Sequence, residues 1–469
     1  MISVLTKYFS PEWYGEYNKI YNYLGIFAFL ADLWLYTLTI REISKDQSKA
    51  EKIIGNMMSL RLILWIFVMI FAFWLAFLLP WYSSHATLFW IIIVAFFTIF
   101  NLLNSSVMSL MQAFMKIEFS MISTIVSRSI QIVLMILVLF LAFPQSNITD
   151  FQAPFLWILV CGTLWALIQY VMNLYYARKI AKISFLWDWD FMKKMFFQSL
   201  PYGIALFLSV VYFKIDIIFL SFLLPQEIAN YSIAMYSLPM KIIEVLMVLW
   251  VFYLNAVLPH LSEYFHNFNA QKIQEILNKS MIFLGSFGMF VLVMWFLFQE
   301  HLLQIIATEE YINNSLWYSS LDVFGVVLGV LVFYFFSSLG NYICIASKNE
   351  KKLLYINGII TLVNIIGNII FIPKYGFMGA AYVTLFSQIL LSIILYVVVR
   401  KIIDFSFDFI SLWKIFLFGM IFFFLGQKII EIFPLWVWWE FFLYGIIFSG
   451  MFWSWIFLMF RKMFKKITT

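Results

Sequence analysis

Charged residues are scarce in this sequence: only 12% of its 469 residues are Asp, Glu, Lys or Arg, whereas 64% are hydrophobic. A soluble domain carries about 25% charged residues. No long polar stretch interrupts the apolar ones, so no segment could fold as a soluble domain. These absences exclude a soluble protein and indicate a chain that lies mostly within a lipid bilayer.

Metal-binding and redox-active residues are also few, with two cysteines and four histidines. Cys161 and Cys344 lie in apolar segments, so we expect small buried side chains rather than a disulfide or a metal site. The histidines are too scattered along the chain to form a zinc site. The sequence therefore predicts no metal and no cofactor.

Two further classes of protein are disfavoured by what the chain lacks. A glycine-rich phosphate-binding loop with its lysine is missing, so we do not expect the protein to hydrolyse ATP. The net charge of +6 is modest, and most basic residues lie in short loops between apolar segments. That arrangement does not favour nucleic acid as a partner.

Apolar stretches of the length that a membrane-spanning helix needs, about 20 residues, follow one another along the chain. About thirteen are present, near residues 19–40, 58–79, 87–115, 119–143, 153–177, 197–223, 227–259, 280–306, 318–346, 353–372, 378–400, 409–427 and 435–460. Met1 to Phe9 is too short and resembles the outer end of a helix whose beginning is missing. Either the start codon is placed late or that helix is absent. We do not expect a signal peptide, because Glu12 and Glu16 precede the first long apolar stretch.

Lysine and arginine occupy every second loop between these helices. The basic loops contain Arg41, Lys45, Lys49 and Lys52; Lys116; Arg178, Lys179, Lys182, Lys193 and Lys194; Lys272 and Lys279; Lys348, Lys351 and Lys352; Arg400 and Lys401; and Arg461, Lys462, Lys465 and Lys466. Residues 80–86, 144–152, 224–229 and 299–316 have neither residue type, and the exceptions on that side are Lys7, Lys19, Lys374 and Lys428. Because basic loops stay in the cytoplasm, the first set and the C-terminus are predicted to be cytoplasmic. We expect a multi-pass protein of the cytoplasmic (inner) membrane.

Two polar stretches on the predicted cytoplasmic side mix aromatic or aliphatic residues with charges. They are Phe185 to Phe197 and Asn267 to Lys279. Each is typical of an amphipathic helix at the membrane surface, and an ordinary polar linker remains the alternative.

The stretch from Asn364 to Gln388 predicts a helical hairpin. Asn364 and Asn368 are four residues apart, so their amides share a helix face that should point into the protein rather than to lipid. Pro373 and Gly376 are typical of a tight turn. The residues Gly379, Ala380 and Ala381 then give the second helix a small-residue side for close packing.

Internal similarity indicates that the chain contains two related halves. Pro11-Glu12 followed by Tyr17 corresponds to Pro225-Gln226 followed by Tyr231, and residues 113–131 correspond without a gap to residues 346–364. Such repeats are typical of transporters, in which the substrate path lies between them. The predicted divisions are 1–177, 178–401 and a C-terminal pair of helices in 402–469.

Three segments resemble one family of membrane proteins. The segment IPKYGFMGAAYVT after an Asn-rich helix end, SPEWYGEY at residues 10–17 and REIS at residues 41–44 are similar to Wzx-type polysaccharide-export flippases. These belong to the multidrug/oligosaccharidyl-lipid/polysaccharide (MOP) superfamily. The resemblance implies an all-α polytopic fold, in which two pseudo-repeated six-helix lobes surround a central cavity and two C-terminal helices follow. It also implies that the first helix is truncated in this sequence.

Ionisable residues inside the predicted spans are candidates for a functional site, because each costs about 2.5–3.5 kcal/mol to insert. They are Arg61, Arg128, Lys214, Lys241, Asp32, Asp216, Glu244 and Asp322. A lipid-diphosphate headgroup needs fixed cations, and arginine offers two-point contact with phosphate oxygens. Arg128 is the strongest candidate, because it lies among serines and a threonine, and its alternative role is to pair with an acid on a neighbouring helix.

The spacing of the other candidates along their helices indicates which of them can pair. Lys241 and Glu244 are three residues apart and are expected to pair, whereas Lys214 and Asp216 point to different sides of a helix. Predicted substrate-binding residues are Arg128, Lys214, Lys241, Asn255 and Asn341. Predicted ion-coupling residues are Asp32, Asp216 and Glu244, and the second-helix and seventh-helix positions of Asp32 and Asp216 match the family. Arg61 and Asp322 are nearer the helix ends and are expected to be structural.

The resemblance implies a transporter that flips an undecaprenyl-diphosphate-linked oligosaccharide, such as an O-antigen or lipopolysaccharide repeat unit, by alternating access. Its implied partners are the lipid-linked substrate, membrane lipids, a polysaccharide polymerase and a chain-length regulator. One alternative is a drug or cation antiporter of the same superfamily, whose cavity should be net acidic. Another is a membrane-embedded polymerase or glycosyltransferase, but the longest outer loop offers Glu309 and Glu310 without any arginine or lysine. We therefore do not expect an enzyme.

Overall fold

Helices form the regular structure of the chain in the computed structural model, which describes residues 1–32, 35–145, 150–267, 269–312, 318–403, 408–432 and 438–465. Within those ranges there is no β-strand, which confirms the predicted all-α class. Internal contacts divide the chain into two compact units, Met1–Ala234 and Met235–Thr469. The divisions at residues 177 and 401 remain predictions, because they concern sequence repeats rather than packing.

The first unit contains eight helices and the start of a ninth. They are α1 (Ile2–Tyr8), α2 (Pro11–Asp32), α3 (Leu35–Lys45), α4 (Ala50–Leu78), α5 (His85–Ala113), α6 (Glu118–Ile136), α7 (Gln152–Ala177), α8 (Trp189–Leu223) and α9 (Gln226–His266). A 3₁₀ turn (Gln47–Lys49) precedes α4, and a π-helical turn (Leu137–Ala142) extends α6.

The second unit contains the rest of α9 and five further helices. They are α10 (Ala270–Ile306), α11 (Ser320–Ala346), α12 (Glu350–Ile402), α13 (Phe409–Ile432) and α14 (Trp438–Lys465). Aromatic side chains dominate the packing of the predicted C-terminal pair, because Phe418, Phe422, Phe448 and Phe452 of α13 and α14 form one buried cluster with Phe298 of α10.

Eleven helical segments in the described part of the chain are long and apolar enough to cross a membrane. One of them, Lys351–Ile402, contains the two predicted helices 353–372 and 378–400, and another, Pro11–Lys45, contains the predicted helix 19–40. The predicted helix 197–223 lies within α8. The chain is therefore a multi-pass membrane protein, as its composition predicts.

The predicted surface helix at residues 185–197 is wrong as a separate element. Residues 182–188 are not helical, because the Leu186 N–H donates to the Gly55 carbonyl (3.3 Å) and the Asp188 N–H donates to Oδ1 of Asn56 (2.7 Å). These bonds hold the segment against the start of α4. Helix begins only at Trp189, where the Asp188 side chain accepts a hydrogen bond from the Phe191 N–H and so caps α8.

The second predicted surface helix, at residues 267–279, is also not separate. It forms the first turns of α10, which continues without a break to Ile306. Asn269 starts this helix, because its side chain accepts a hydrogen bond from the Lys272 N–H (3.1 Å). The polar turns therefore continue directly into a helix that is long and apolar enough to cross a membrane.

The predicted hairpin between Asn364 and Gln388 is confirmed. Gly376 is the one non-helical residue inside α12, with φ 57° and ψ −138°, so the helix axis breaks there. Asn364 and Asn368 are fully buried, and the Asn368 amide donates to Oδ1 of Asn364 (3.0 Å). After the turn the chain passes so close to itself that a Cβ on Gly379 would lie 2.4 Å from the Phe371 carbonyl oxygen.

Replacing Gly376 with alanine should destabilise this hairpin. The conformation at Gly376 is one that residues with a Cβ avoid, and holding such a residue there costs about 1–3 kcal/mol. A Cβ at this position would meet no other atom within 4 Å, so the loss would come from the backbone alone. Thermal unfolding of the purified protein should show a lower midpoint for Gly376→Ala. Gly325→Ala is the matched control, because Gly325 is helical and also has open space around it, and an unchanged midpoint in both variants would contradict this account.

Two turns of the chain share one geometry. Met115 follows α5 and Lys348 follows α11, and they are the non-glycine residues with positive φ in the described part of the chain, at 57° and 59°. In each turn the residue that follows the one with positive φ donates its N–H to the carbonyl five residues earlier. Lys116 donates to Met111 and Asn349 donates to Cys344, both at 2.8 Å. These positions correspond in the gapless alignment of residues 113–131 with residues 346–364, so the shared geometry supports the predicted repeat.

Candidate functional site

One face of α2 borders a cavity inside the first unit. Tyr17, Tyr21, Gly25, Ala28 and Asp32 recur at intervals of three or four residues, so they lie on the same side of the helix. The cavity has a volume of about 290 Å³. Its lining includes Tyr21, Gly25, Ala28 and Asp32 of α2 and Phe97, Thr98 and Asn101 of α5. A carboxylate, an amide and hydroxyls therefore line an open cavity whose other lining residues are apolar.

Arg128 of α6 lies behind the aromatic residues of this region, and its contacts in the described part of the chain include no carboxylate. Its guanidinium stacks over the Trp165 ring at 3.7 Å, and its Nη1 donates to Oε1 of Gln131 at 2.7 Å. Among the described residues no Asp or Glu oxygen lies within 4 Å of it. The predicted alternative, a structural pair with an acid on a neighbouring helix, is therefore absent from the described part of the chain.

Aromatic rings connect Arg128 with the cavity. Trp165 contacts Phe97 (ring centroids 5.8 Å apart), Phe97 contacts Tyr21 (5.3 Å) and Tyr21 contacts Tyr17 (4.4 Å). Both tyrosines interact electrostatically with Arg128. The first unit thus places one guanidinium among aromatic rings, hydroxyls and an amide, a combination suited to an anion that carries sugar rings.

Asp32 and Arg61 form an ion pair at the other end of the α2 face. Nη2 and Nε of Arg61 lie 2.7 and 2.8 Å from Oδ1 of Asp32, and Nη1 donates to the Ser106 hydroxyl. The Arg61 side chain is fully buried, whereas the Asp32 side chain is 21% exposed. Arg61 lies well inside α4 rather than near a helix end, because α4 begins at Ala50 and not at residue 58. Asp32, a predicted ion-coupling residue, therefore holds a cation partner.

Lys214 of α8 reaches the same helix from another side. Its Nζ donates to Oδ1 of the buried Asn22 (3.1 Å), and its side chain lies against Gly25. Asp216 is fully buried and interacts with Tyr212 one turn earlier. Arg128, Lys214, Asp32 and Asp216, four of the predicted site residues, are thus all within the first unit.

The remaining predicted site residues lie in the second unit, where they are arranged differently. Nζ of Lys241 is 2.9 Å from Oε2 of Glu244, which confirms the predicted pair. The Tyr342 hydroxyl donates to Oδ1 of Asn255 (2.7 Å), which links α9 to α11. Oδ1 of Asn341 is buried and accepts no hydrogen bond from the described residues. Asp322 forms a capping box with Ser319 at the start of α11, which confirms its structural role.

A family model described as "Polysaccharide biosynthesis protein" matches residues 1–265, more than half of the chain. The chain belongs to this family. Residues 201–370 of this polysaccharide biosynthesis family member also match the MatE family model. No curated protein sequence matches it significantly.

Solved structures with the same fold are transporters. The polysaccharide biosynthesis family member is similar to "Lipid II flippase MurJ, inward closed conformation", with TM-score 0.70 and 18% identity over 99% of this chain and 96% of the other. It is also similar to an inward-facing multidrug resistance MATE family transporter of the MOP superfamily, with TM-score 0.68 and 14% identity over 85% and 92%. A third, MATE in the bent conformation, has TM-score 0.55 and 12% identity over 89% and 96%. The predicted membership of the MOP superfamily and its fold are confirmed.

Several residues of this family member's first unit were missed by reasoning from its sequence. Gln131, Trp165, Tyr17 and Tyr21 surround Arg128 from three helices, and no local pattern connects those helices. Glu16 and Lys19 form a buried ion pair inside α2, each with about 6% of its surface exposed. Their spacing of three residues is the sequence pattern from which this ion pair could have been predicted. Lys19, an exception to the loop-charge pattern, is therefore a neutralised residue of the protein interior.

Proposed function

We propose that this protein flips an undecaprenyl-diphosphate-linked oligosaccharide from the inner to the outer leaflet of the cytoplasmic membrane by alternating access. The observation that carries the proposal is the Arg128 guanidinium, which lies in a membrane helix without a carboxylate among the described residues. A charge in that position is costly, so its retention favours a role in binding an anion. The match to the polysaccharide biosynthesis family over residues 1–265 supports the same substrate class.

The side chains around Arg128 suit the two parts of such a headgroup. Arginine can contact two phosphate oxygens at once, and the Lys214 ammonium near Gly25 of α2 supplies a second positive charge. Gln131 offers hydrogen bonds to sugar hydroxyls, and the Trp165 and Tyr21 rings offer flat apolar surfaces. Lys241, Asn255 and Asn341 of the second unit are proposed to complete the substrate path.

Ion coupling is proposed to involve Asp32, Asp216 and Glu244. In the structure Asp32 holds Arg61 and Glu244 holds Lys241. A coupling proton or sodium ion would have to displace these cations. At Asp32 this exchange would release a contact between α2 and α4, whereas at Glu244 it would break a pair within α9. This exchange is the means by which an ion gradient could drive the transport cycle. A polysaccharide polymerase and a chain-length regulator are the proposed partners.

The test is a strain that lacks the gene. We expect such a strain to lose surface polysaccharide and to accumulate the diphosphate-linked glycan in its membrane, and the wild-type gene should reverse both changes. Normal surface polysaccharide together with an unchanged pool of lipid-linked glycan would contradict the proposal.

A drug or cation antiporter is the second candidate, because residues 201–370 match the MatE model. Such a protein should lower the accumulation of ethidium in a sensitive host. An arginine that contacts no carboxylate among the described residues disfavours a cationic substrate, so we expect no ethidium efflux. Efflux without any effect on polysaccharide would favour the antiporter over the flippase.

A further inference from the structure

A second polar pocket lies in the first unit, apart from the cavity along α2. Its volume is about 240 Å³, and it is lined by Lys19, Trp81, Thr87, Ser221, Gln226 and Asn230 among others. These residues come from α2, from the segment between α4 and α5, and from α5, α8 and α9. The loops that form its mouth, 80–86 and 224–229, are those without lysine or arginine, so the pocket lies on the side predicted to face away from the cytoplasm.

The floor of this pocket is a network around the buried pair of Glu16 and Lys19. Oε2 of Glu16 accepts a hydrogen bond from the Asn230 amide (2.8 Å), and Oε1 accepts one from the Thr87 hydroxyl (3.2 Å). Nζ of Lys19 contacts Glu16 and donates to the Trp81 carbonyl (3.4 Å). Because each charge has its counter-charge beside it, the pocket presents little net charge to a ligand.

Polar groups remain available at the pocket surface after these bonds are counted. An ammonium has three donors, and two of those of Lys19 are used by Glu16 and the Trp81 carbonyl, while its Nζ also lies 5.4 Å from the centroid of the Tyr82 ring. The exposed Gln226 side chain has no hydrogen-bond partner among the described residues. Trp81 is half-buried and packs its ring against Phe222, with centroids 5.1 Å apart. The pocket therefore combines amide and ammonium donors, hydroxyls and an aromatic residue.

We propose that this pocket binds one uncharged sugar ring, a hexose or an N-acetylhexosamine, of the glycan on the outer side of the membrane. An uncharged ring suits a pocket whose charges cancel, and its hydroxyls match the amide and ammonium groups. Pockets for drug-sized ligands measure about 300–1,000 Å³, so a space of 240 Å³ holds a single ring rather than an oligosaccharide. The identity of the ligand as part of the transported glycan rests on the proposed flippase function.

The test measures binding directly on the full chain in lipid nanodiscs. The probes are methyl glycosides of hexoses and N-acetylhexosamines, with a methyl glucuronide as the charged comparison, followed by saturation-transfer NMR. At least one neutral glycoside should bind to the wild type. Gln226→Trp, which fills the pocket, should abolish that binding, and Gln226→Ala should raise the apparent Kd about tenfold, as expected for a lost hydrogen bond of about 1.4 kcal/mol.

Glu227→Trp is the matched control, because Glu227 is the exposed neighbour of Gln226 and does not line the pocket. It should bind the neutral glycoside as the wild type does, and thermal unfolding should show all variants folded. The proposal is overturned if no neutral glycoside binds, if only the glucuronide binds, or if both Gln226 variants bind normally. The gene-deletion strain would still lose surface polysaccharide if only the pocket proposal were wrong, so failure of the pocket and failure of the flippase function are distinguishable.

Discussion

Arg128→Ala should abolish polysaccharide export while the amount of protein in the membrane stays normal. The variant removes the guanidinium but leaves the helix, and Arg128 holds no carboxylate among the described residues whose charge would be left alone. Hydrogen bonds between charged groups contribute about 1.5–3 kcal/mol each, so loss of a two-point contact to phosphate should weaken binding at least tenfold. Surface polysaccharide and membrane protein level in the complemented deletion strain provide the measurement.

Two further variants make this result specific. Arg128→Lys keeps the charge but loses the planar group that stacks on Trp165 at 3.7 Å, so it should restore export only in part. Ser129→Ala is the matched control, because Ser129 is the exposed next residue of the same helix, and it should export normally. Normal surface polysaccharide in Arg128→Ala would remove Arg128 from the substrate site.

The largest loss of stability is expected from Asp32→Leu. Arg61 is fully buried, so this variant leaves its guanidinium without a counter-charge inside the protein, and breaking a buried pair in this way costs about 3–5 kcal/mol. Arg61→Leu should cost less, because the Asp32 carboxylate is 21% exposed and can remain solvated from the cavity. Thermal unfolding midpoints in detergent should therefore fall in the order wild type, Arg61→Leu, Asp32→Leu.

The double variant Asp32→Leu with Arg61→Leu completes the comparison. Replacing both members of a buried pair by apolar residues is often neutral, so its midpoint should rise above that of Asp32→Leu alone. Equal unfolding midpoints for the two single variants would contradict this account, because they would show that an isolated Arg61 is no more costly than an isolated Asp32. Since Asp32 is also a proposed coupling residue, the double variant should be stable and yet defective in export.

Much of the fold could be predicted because its signals are local. Pro373, Gly376 and the paired Asn364 and Asn368 act within one hairpin, and the structure has the turn at Gly376. The length of the apolar stretches predicts the spans in the same way. Helix boundaries were less predictable. The separate helix predicted at residues 267–279 is instead the start of α10, which begins after the Asn269 cap and continues to Ile306.

The candidate site was predicted less completely. Arg128 could be chosen by the cost of a charge in a membrane helix, a property of one position. Its neighbours Trp165 and Tyr21 lie on other helices and carry no pattern of their own, so only tertiary packing brings them together. Lys19 is different, because the spacing of three residues to Glu16 is a local signal for its ion pair, whereas its contact with the Trp81 carbonyl lies far along the chain.

The matching turns at Met115 and Lys348 also provide a way to translate positions from one half into the other. The constant offset of 233 residues, from Ala113 to Ala346, makes Thr361 the counterpart of Arg128 in the sequence of the second half. Thr361 is buried and its hydroxyl donates to the Asn357 carbonyl of its own helix (2.7 Å), so it presents no charge. An ancient duplication would then have kept the turn and the helix after it in both copies while their chemistry diverged, so that the first half carries a guanidinium where the second half carries a neutral hydroxyl.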